Sequence, residues 1–378
     1  MVTESVADPG ATLGDGSLKM ALVHEWLDAP GGAENVLKEM LRVYPQADVW
    51  SLWCLSPARE QIPVAVQTSW LDKTALAGHK RAALPMMPFA WRMLGRRDYD
   101  AVITSSYAFA HLARFRGNVG PTLHYIHTPA RYWWTPDVDD RASSRFAALP
   151  RAGLRVMDRR AARNHKNVAA NSKATQDRIA RFWDLESQVI YPPVATDFYT
   201  PGSPESDLPF PEYILGASRW IPYKRLDLVI ATAARARVPV VIAGSGPIEA
   251  QLRALAAAVD VPVYFEVQPT RQRLRDLYRG AMALVFPVHE DFGIVPVEAL
   301  AAGTPVVGPN IGGLSETVID GVTGRLVDRR VNTAELAVAV RSVSGLGGPA
   351  LADHARRFSA ETFRRSIADW VGRAVRDA

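Results

Sequence analysis

The chain has 378 residues, 48% apolar and 22% charged, with a formal net charge of +5 and a single cysteine. That length suits two domains, each able to bury a core of its own. One thiol excludes an internal disulfide or a cysteine-based zinc site and fits a reducing, cytoplasmic setting. No apolar run approaches the roughly 20 residues a membrane-spanning helix needs. The positive balance suits an anionic partner, a diphosphate or the inner face of a membrane; nucleic acid is not expected, because no zinc-finger spacing, RNP-like motif or helix-turn-helix is evident.

In chain order, residues 1–17 are small and polar, with Asp8-Pro9-Gly10 and Gly14-Asp15-Gly16. They read as a disordered tail that lacks the apolar core of a signal peptide. Residues 18–24 read as a buried strand, followed by a Pro30-Gly31-Gly32 turn and a helix over 33–44. Cys54 sits in the apolar run 49–55 and reads as a buried, inert thiol. Residues 73–97 carry Lys73, Lys80, Arg81, Arg92, Arg96 and Arg97 and no acid, interleaved with Leu84, Met86, Met87, Phe89, Trp91, Met93 and Leu94. Such a segment suits the face of an anionic bilayer, and equally a core edge covered by cation stems. Residues 101–104 and 123–126 read as further strands.

Residues 191–211 hold Pro192, Pro193, Pro201, Pro204, Pro209 and Pro211 and read as a stiff linker, with the boundary near 195–208. Strand-like runs follow at 213–216, 238–243, 261–265, 283–287 and 305–307, with helical stretches between most of them. Strand alternating with helix predicts an α/β architecture of two Rossmann-like, doubly wound parallel-sheet domains, 18–200 and 201–359, facing a central cleft.

Four constellations carry chemistry. His289-Glu290-Asp291-Phe292-Gly293-Ile294-Val295-Pro296-Val297-Glu298 reads as a strand end, a loop relaxed by Gly293, and a helix opening near Pro296 with Glu298 in its early turn. The helix amino end could meet a phosphate, and the two carboxylates could accept from hydroxyls; a surface acid plus a capping glutamate explains the pair as well. Arg219 and Lys224 follow the strand 213–216 at a spacing of five, suited to a developing negative charge, or to a solvated basic loop. The Gly244-Ser245-Gly246 turn lets backbone approach a nucleotide, or is a plain turn. In the first half, Gly31-Gly32 opens a helix whose amides could face a phosphate, and His127 follows a strand end, where it could bond a hydroxyl or be structural.

Together these elements resemble glycosyltransferase family 4, retaining enzymes of the GT-B fold. The matching pieces are Gly31-Gly32, His127, Arg219 with Lys224, Gly244-Ser245-Gly246 and Glu290-x7-Glu298, in order over residues 18–330. His24-Glu25-Trp26-Leu27, residues 125–134, Asn171-Ser172-Lys173 and residues 190–194 are similar to the O-antigen-type branch of mannosyltransferases that use GDP-mannose. The resemblance implies a hexosyl transfer, most simply of mannose from GDP-mannose onto a glycan or lipid-linked acceptor. A nucleoside-diphosphate sugar is then the substrate, with no cofactor and no metal. It assigns the diphosphate to Arg219 and Lys224, and the donor sugar to Glu290. His127 would act near C6 of that sugar, and Glu298 would take the ribose hydroxyls. Phe292, Gly293, Ile294, Gly244 and Gly246 would line the donor, Gly31 and Gly32 would close on its phosphates, and the helix 360–378 would return onto the first domain.

Asp137-Val138-Asp139 has the Asp-x-Asp form that other transferases use for a metal, but no strand leads into it and it reads as solvated acids. A UDP-sugar donor, an epimerase or phosphorylase of the same fold, and a non-catalytic glycan-binding or scaffold protein are the competing readings.

Overall fold

The computed structural model describes residues 18–28, 31–60, 62–134, 148–205 and 208–378. The expected tail 1–17 and the Asp137-Val138-Asp139 segment lie outside the described residues. The chain divides between Pro193 and Val194, at the head of the proline-rich stretch, and residues Glu361–Ala378 belong with the first unit.

The first unit holds a seven-stranded parallel sheet: β1 (Met20–His24), β2 (Asp48–Ser51), β3 (Val66–Thr68), β4 (Ala101–Ser106), β5 (Thr122–Ile126), β6 (Asn167–Ala170) and β7 (Gln188–Val189). Their order across the sheet is β3-β2-β1-β4-β5-β6-β7. Both faces are covered, so the strands are apolar at successive positions rather than at alternate ones. Met20 and Leu22 pack with Val36, Leu37, Met40 and Leu41 of the helix Gly32–Val43. Ala21 and Val23 pack on the other face with Trp50, Trp53, Trp91 and Phe109. The last helix, Ala360–Arg376, contributes Phe363, Ile367, Trp370, Val371 and Ala374 to the first of these clusters. Cys54 is a free, buried thiol.

The second unit holds a six-stranded parallel sheet: β8 (Ile214–Ala217), β9 (Val240–Gly244), β10 (Val263–Val267), β11 (Ala283–Val285), β12 (Val306–Pro309) and β13 (Gly324–Val327). Its order is β10-β9-β8-β11-β12-β13. Ile214, Val240, Ile242, Val285 and Val307 pack under Val229 and Ile230 of the helix Leu226–Ala236 and under Leu336 and Val340 of the helix Thr333–Ser342. In each unit the strand that comes first in the sequence lies inside the sheet, third across it. The chain builds outward in one direction and then in the other, so its direction of winding reverses between β1 and β4, and again between β8 and β11. Ligands of doubly wound sheets bind beyond the carboxyl ends of the strands at that reversal.

Candidate active site

The reversal in the second unit gathers most of the expected donor residues. Loops leaving β8, β9, β11 and β12 bond to one another there. Ser218 N donates to Ala243 O at 3.1 Å, Trp220 N to Ser245 O at 2.7 Å, and Gly313 N to Glu290 O at 2.9 Å. Lys224 Nζ forms an ion pair with Glu290 Oε1, and the Tyr223 hydroxyl donates to the same oxygen at 2.6 Å. The Lys224 ammonium also lies 4.9 Å from the Tyr223 ring centroid and 5.9 Å from that of Phe286, faces that favour a cation. Arg219, by contrast, is exposed and makes no ion pair among the described residues. One cation is thus held in place and the other is not.

The glycines have a local reason. A Cβ on Gly244, whose φ is +138°, would fall 1.9 Å from Ser218 O, and one on Gly246 would fall 2.3 Å from Trp220 O. The close approach they permit is to the loop carrying Arg219, which fixes where that loop runs. Gly293 caps the helix Ile294–Ala301 with φ +88°. The helix therefore opens before Pro296, which takes its third position, where an amide has no partner inside the helix. Glu298 consequently falls in the second turn rather than the first. Ile294 is the first helical residue, and Phe292 is turned inward, 4% exposed and 5.5 Å from the Phe358 ring.

Glu298 accepts from the Tyr278 hydroxyl at 3.1 Å. Burial pushes its carboxyl up to about 7, against the Tyr278 hydrogen bond and the Arg271 charge, which pull it down. A carboxyl raised from its ordinary 4.5 holds its proton more tightly in the folded state, so unliganded stability falls as pH rises from 4.5 to about 7. If Glu298 takes the ribose hydroxyls, as the family resemblance implies, it must be ionised to accept both. Nucleotide affinity should therefore rise about tenfold between roughly pH 6 and pH 8, and Glu298→Gln should flatten that dependence. Calorimetric titration across this range checks it; an equal slope in both proteins removes Glu298 from the nucleotide site.

In the first unit, Gly31 precedes the helix Gly32–Val43, and a Cβ there would lie 2.6 Å from Glu34 Oε2, so Gly31 leaves room for that carboxylate to fold back over the helix end. His127 follows β5. Its Nε2 lies 2.8 Å from Ser105 Oγ, and Ser105 Oγ lies 3.0 Å from Nδ1 of the fully buried His24. Glu25, also fully buried, accepts from Ser106 Oγ at 2.9 Å and from the amides of Ala108 and Ala110, each at 2.7 Å. It anchors the loop after β4, and that loop sets Tyr107 beside His127, with ring centroids 5.8 Å apart.

Sequence reasoning missed Tyr223, Tyr278, Ser105 and Glu34. Tyr223 adjoins Lys224 and could have been weighed with it. Tyr278 lies inside the helix Arg271–Gly280, where nothing local marks it. Among the described residues no group of three or more His, Cys, Asp or Glu side chains is arranged to hold a metal ion.

Residues 30–198 match the family model Glycosyltransferase Family 4, and residues 207–361 match Glycosyl transferases group 1. A D-inositol 3-phosphate glycosyltransferase of Streptomyces bingchenggensis is 30% identical over 321 residues, 74% of this chain and 67% of that protein. The chain belongs to glycosyltransferase family 4. Proteins of the same name from Mycobacteroides abscessus and Mycolicibacterium smegmatis are 31% and 34% identical over 70% and 50% of this chain. The match spans 63% and 50% of those two relatives, so it covers about half to two thirds of the family-4 proteins compared. HepE of Anabaena, solved with UDP-glucose, superposes with a TM-score of 0.69 at 20% identity, over 94% of this chain and all of that one. Sucrose-phosphate synthase of Thermosynechococcus elongatus gives 0.69 at 18%, over 96% of this chain and all of that one. At these identities the superpositions show the GT-B fold.

Proposed function

We propose that this protein is a retaining, metal-independent hexosyltransferase that uses a nucleoside-diphosphate sugar. The observation that carries the reading is the Lys224–Glu290 pair at the winding reversal of the second unit, in the same strand-end loop as Arg219, which is exposed and makes no ion pair among the described residues. Departure of a diphosphate concentrates negative charge on its oxygens. Fixed cationic donors aimed at that charge lower the barrier without reorganising, because their dipoles are already in place. Glu290 orients Lys224 and keeps a carboxylate oxygen for sugar hydroxyls. With no protein nucleophile assigned, the acceptor attacks from the face the diphosphate leaves, and a diphosphate oxygen takes the acceptor proton. His127 is assigned to the sugar near C6.

GDP-mannose remains the first donor to test and UDP-glucose the second. The segments that pointed to mannose serve packing in this chain. Glu25 anchors a loop, Trp26 stacks on Trp53 at 5.6 Å, and Ser172 caps the helix Lys173–Trp183. These three residues therefore help to shape the first unit. A donor present at about a hundredfold excess over Kd should stabilise the native protein by about 2.7 kcal/mol. We expect a thermal shift with GDP-mannose that survives a chelator. A shift with UDP-glucose alone would replace the donor, and no shift with either would overturn the reading.

A lipid-linked acceptor is favoured by the segment 73–97, which the structure divides. Met87, Trp91 and Leu94 are buried in the core, whereas Phe89 and Met93 are 59% and 65% exposed. Arg92 lines a groove of about 720 Å³ with Arg114 and Arg160. Apolar side chains standing beside arginines match an anionic bilayer surface. Changing Phe89 and Met93 together to Ser should abolish co-sedimentation with phosphatidylserine vesicles; undiminished sedimentation removes the membrane from the proposal.

A further inference from the structure

Three residues behind His127 form a line of polar contacts that the transfer reaction as described does not use. Glu34 Oε1 lies 3.8 Å from His24 Nε2, His24 Nδ1 lies 3.0 Å from Ser105 Oγ, and Ser105 Oγ lies 2.8 Å from His127 Nε2. The sheet sets this line. His24 ends β1, Ser105 is its register partner in β4, and Ser105 is paired in turn with Tyr125, two residues before His127. His24 and Ser105 are buried, and Glu34 is 13% exposed. Burial opposes ionisation of Glu34, but the nearby His24, with the charge of His127, outweighs it and holds the carboxyl below its usual range; at 3.8 Å the contact with His24 is an ion-pair distance rather than a hydrogen bond.

We propose that Glu34, His24 and Ser105 form a proton relay that delivers positive charge to His127 as negative charge builds on the departing diphosphate. The residues act through His127 and are positioning residues; the inference rests on the reading of His127 as a group at the reaction centre. Ser105 has a single hydroxyl proton and cannot donate to both rings, so the two histidines are coupled through it. In one arrangement His24 is the imidazolium. Its Nε2–H points to Glu34, its Nδ1–H donates to Ser105, and Ser105 donates to His127 Nε2.

In the other arrangement the His24 Nδ1 proton has passed to Ser105 Oγ, and the Ser105 proton has passed to His127 Nε2. His24 is then neutral with its Nε2–H still on Glu34, and His127 is the imidazolium. Two O–H or N–H bonds break, two form, and one positive charge moves from beside Glu34 to His127. Glu34 supplies the resting place that keeps this charge available inside a buried strand end, where an unpaired imidazolium would be costly. The other titratable groups facing the line are Tyr107, within 5.8 Å of both rings, and Tyr125, 5.2 Å from His127. Burial pushes the Tyr125 hydroxyl well above its ordinary range, so it stays neutral, and it donates to Ile190 O.

The test is a double-mutant cycle with two readouts. By ring 15N NMR of the full chain, Glu34→Gln should move the titration of His127, and the shift should shrink when Ser105→Ala interrupts the line. A through-space charge effect would be the same in both backgrounds, and equal shifts overturn the relay whether or not the protein transfers sugar. In turnover, Ser105→Ala should lower kcat about 10- to 100-fold with the donor KM little changed. A kcat equal to that of the parent, in a variant that keeps its melting temperature, also overturns the relay. If the parent transfers no sugar, the transferase reading fails and the NMR cycle alone decides the coupling.

Discussion

Lys224→Met should lower kcat for sugar transfer by about 10²–10³-fold, the size seen when one preorganised donor to a developing oxyanion is removed. The expectation follows from how Lys224 is held. Its ammonium is ion-paired to Glu290, flanked by the rings of Tyr223 and Phe286, and only 11% exposed. A cation so constrained loses little side-chain freedom when the transition state forms, so most of its electrostatic effect appears in the rate. Methionine keeps the stem and removes the charge, while Tyr223 continues to donate to Glu290. The exposed Arg219 has more freedom to lose, and Arg219→Met should show a larger share of its defect in KM. Steady-state kinetics on variants with parental melting temperatures would decide this. A Lys224→Met kcat within about threefold of the parent would exclude Lys224 from leaving-group stabilisation.

Asp158→Ala should destabilise the first unit by about 3–5 kcal/mol, because it leaves buried partners without their acceptor. Asp158 is fully buried. Its Oδ1 lies 3.0 Å from His111 Nε2, and its Oδ2 accepts from the indoles of Trp134 at 2.6 Å and Trp183 at 2.8 Å. Burial opposes its ionisation, but His111 and the two indoles prevail and hold the carboxyl below its usual range. The stabilisation is thus present above the ordinary carboxylate pKa and is lost as pH falls below it.

Two neighbouring histidines add a second pH term of known sign. His124 and His165 stack at 3.7 Å. Burial and the charge of the neighbouring histidines, with Arg114, hold both below the ordinary 6.5, His165 at about 3. The unfolded chain binds these protons as pH falls through 6.5 and the folded chain does not. Stability should therefore decline below that pH by up to about 1.4 kcal/mol per unit for each ring. A parental melting temperature for Asp158→Ala at neutral pH would contradict the first expectation. Denaturant melts at about pH 8 and about pH 5, on the parent and on His124→Gln/His165→Gln, test the second, because the difference between the two proteins removes the opposing Glu298 contribution; an equal pH dependence in both would contradict it.

Legibility in the sequence followed the strength of local signals. Strands β1, β4, β5, β8, β9, β10, β11 and β12 were visible because apolar, mostly β-branched runs stand between turn residues. Strands β2, β3, β6, β7 and β13 were not. Asp48–Ser51 is buried within a longer apolar run, Val66–Thr68 and Gln188–Val189 are three and two residues long, Asn167–Ala170 is half alanine, and Gly324–Val327 begins with glycine and arginine. They are strands because neighbouring strands of the sheet pair with their backbone, a tertiary condition that overrides propensity.

The same division runs through the site. Arg219, Lys224, Glu290 and Glu298 could be named from their positions after strands taken as an ordered set, although each alone suits a solvated loop or a cap as well. Their partners could not. Tyr278 reaches Glu298 from a separate helix, and Ser105 reaches His127 from a neighbouring strand, across 20 and 22 positions of chain.

By itself the sequence determined that the protein is an α/β chain of two doubly wound units with cations and carboxylates after strand ends, because hydrophobic periodicity and turn chemistry are local properties of the chain. Only the tertiary structure decided that Lys224 is clamped while Arg219 makes no ion pair among the described residues, and that Gly244 and Gly246 make room for protein. It also decided which buried contacts His24 and Glu25 make, with Ser105 and with the loop after β4. These outcomes depend on which strand lies beside which, and the winding reversal of each sheet sets that order through contacts far apart in sequence.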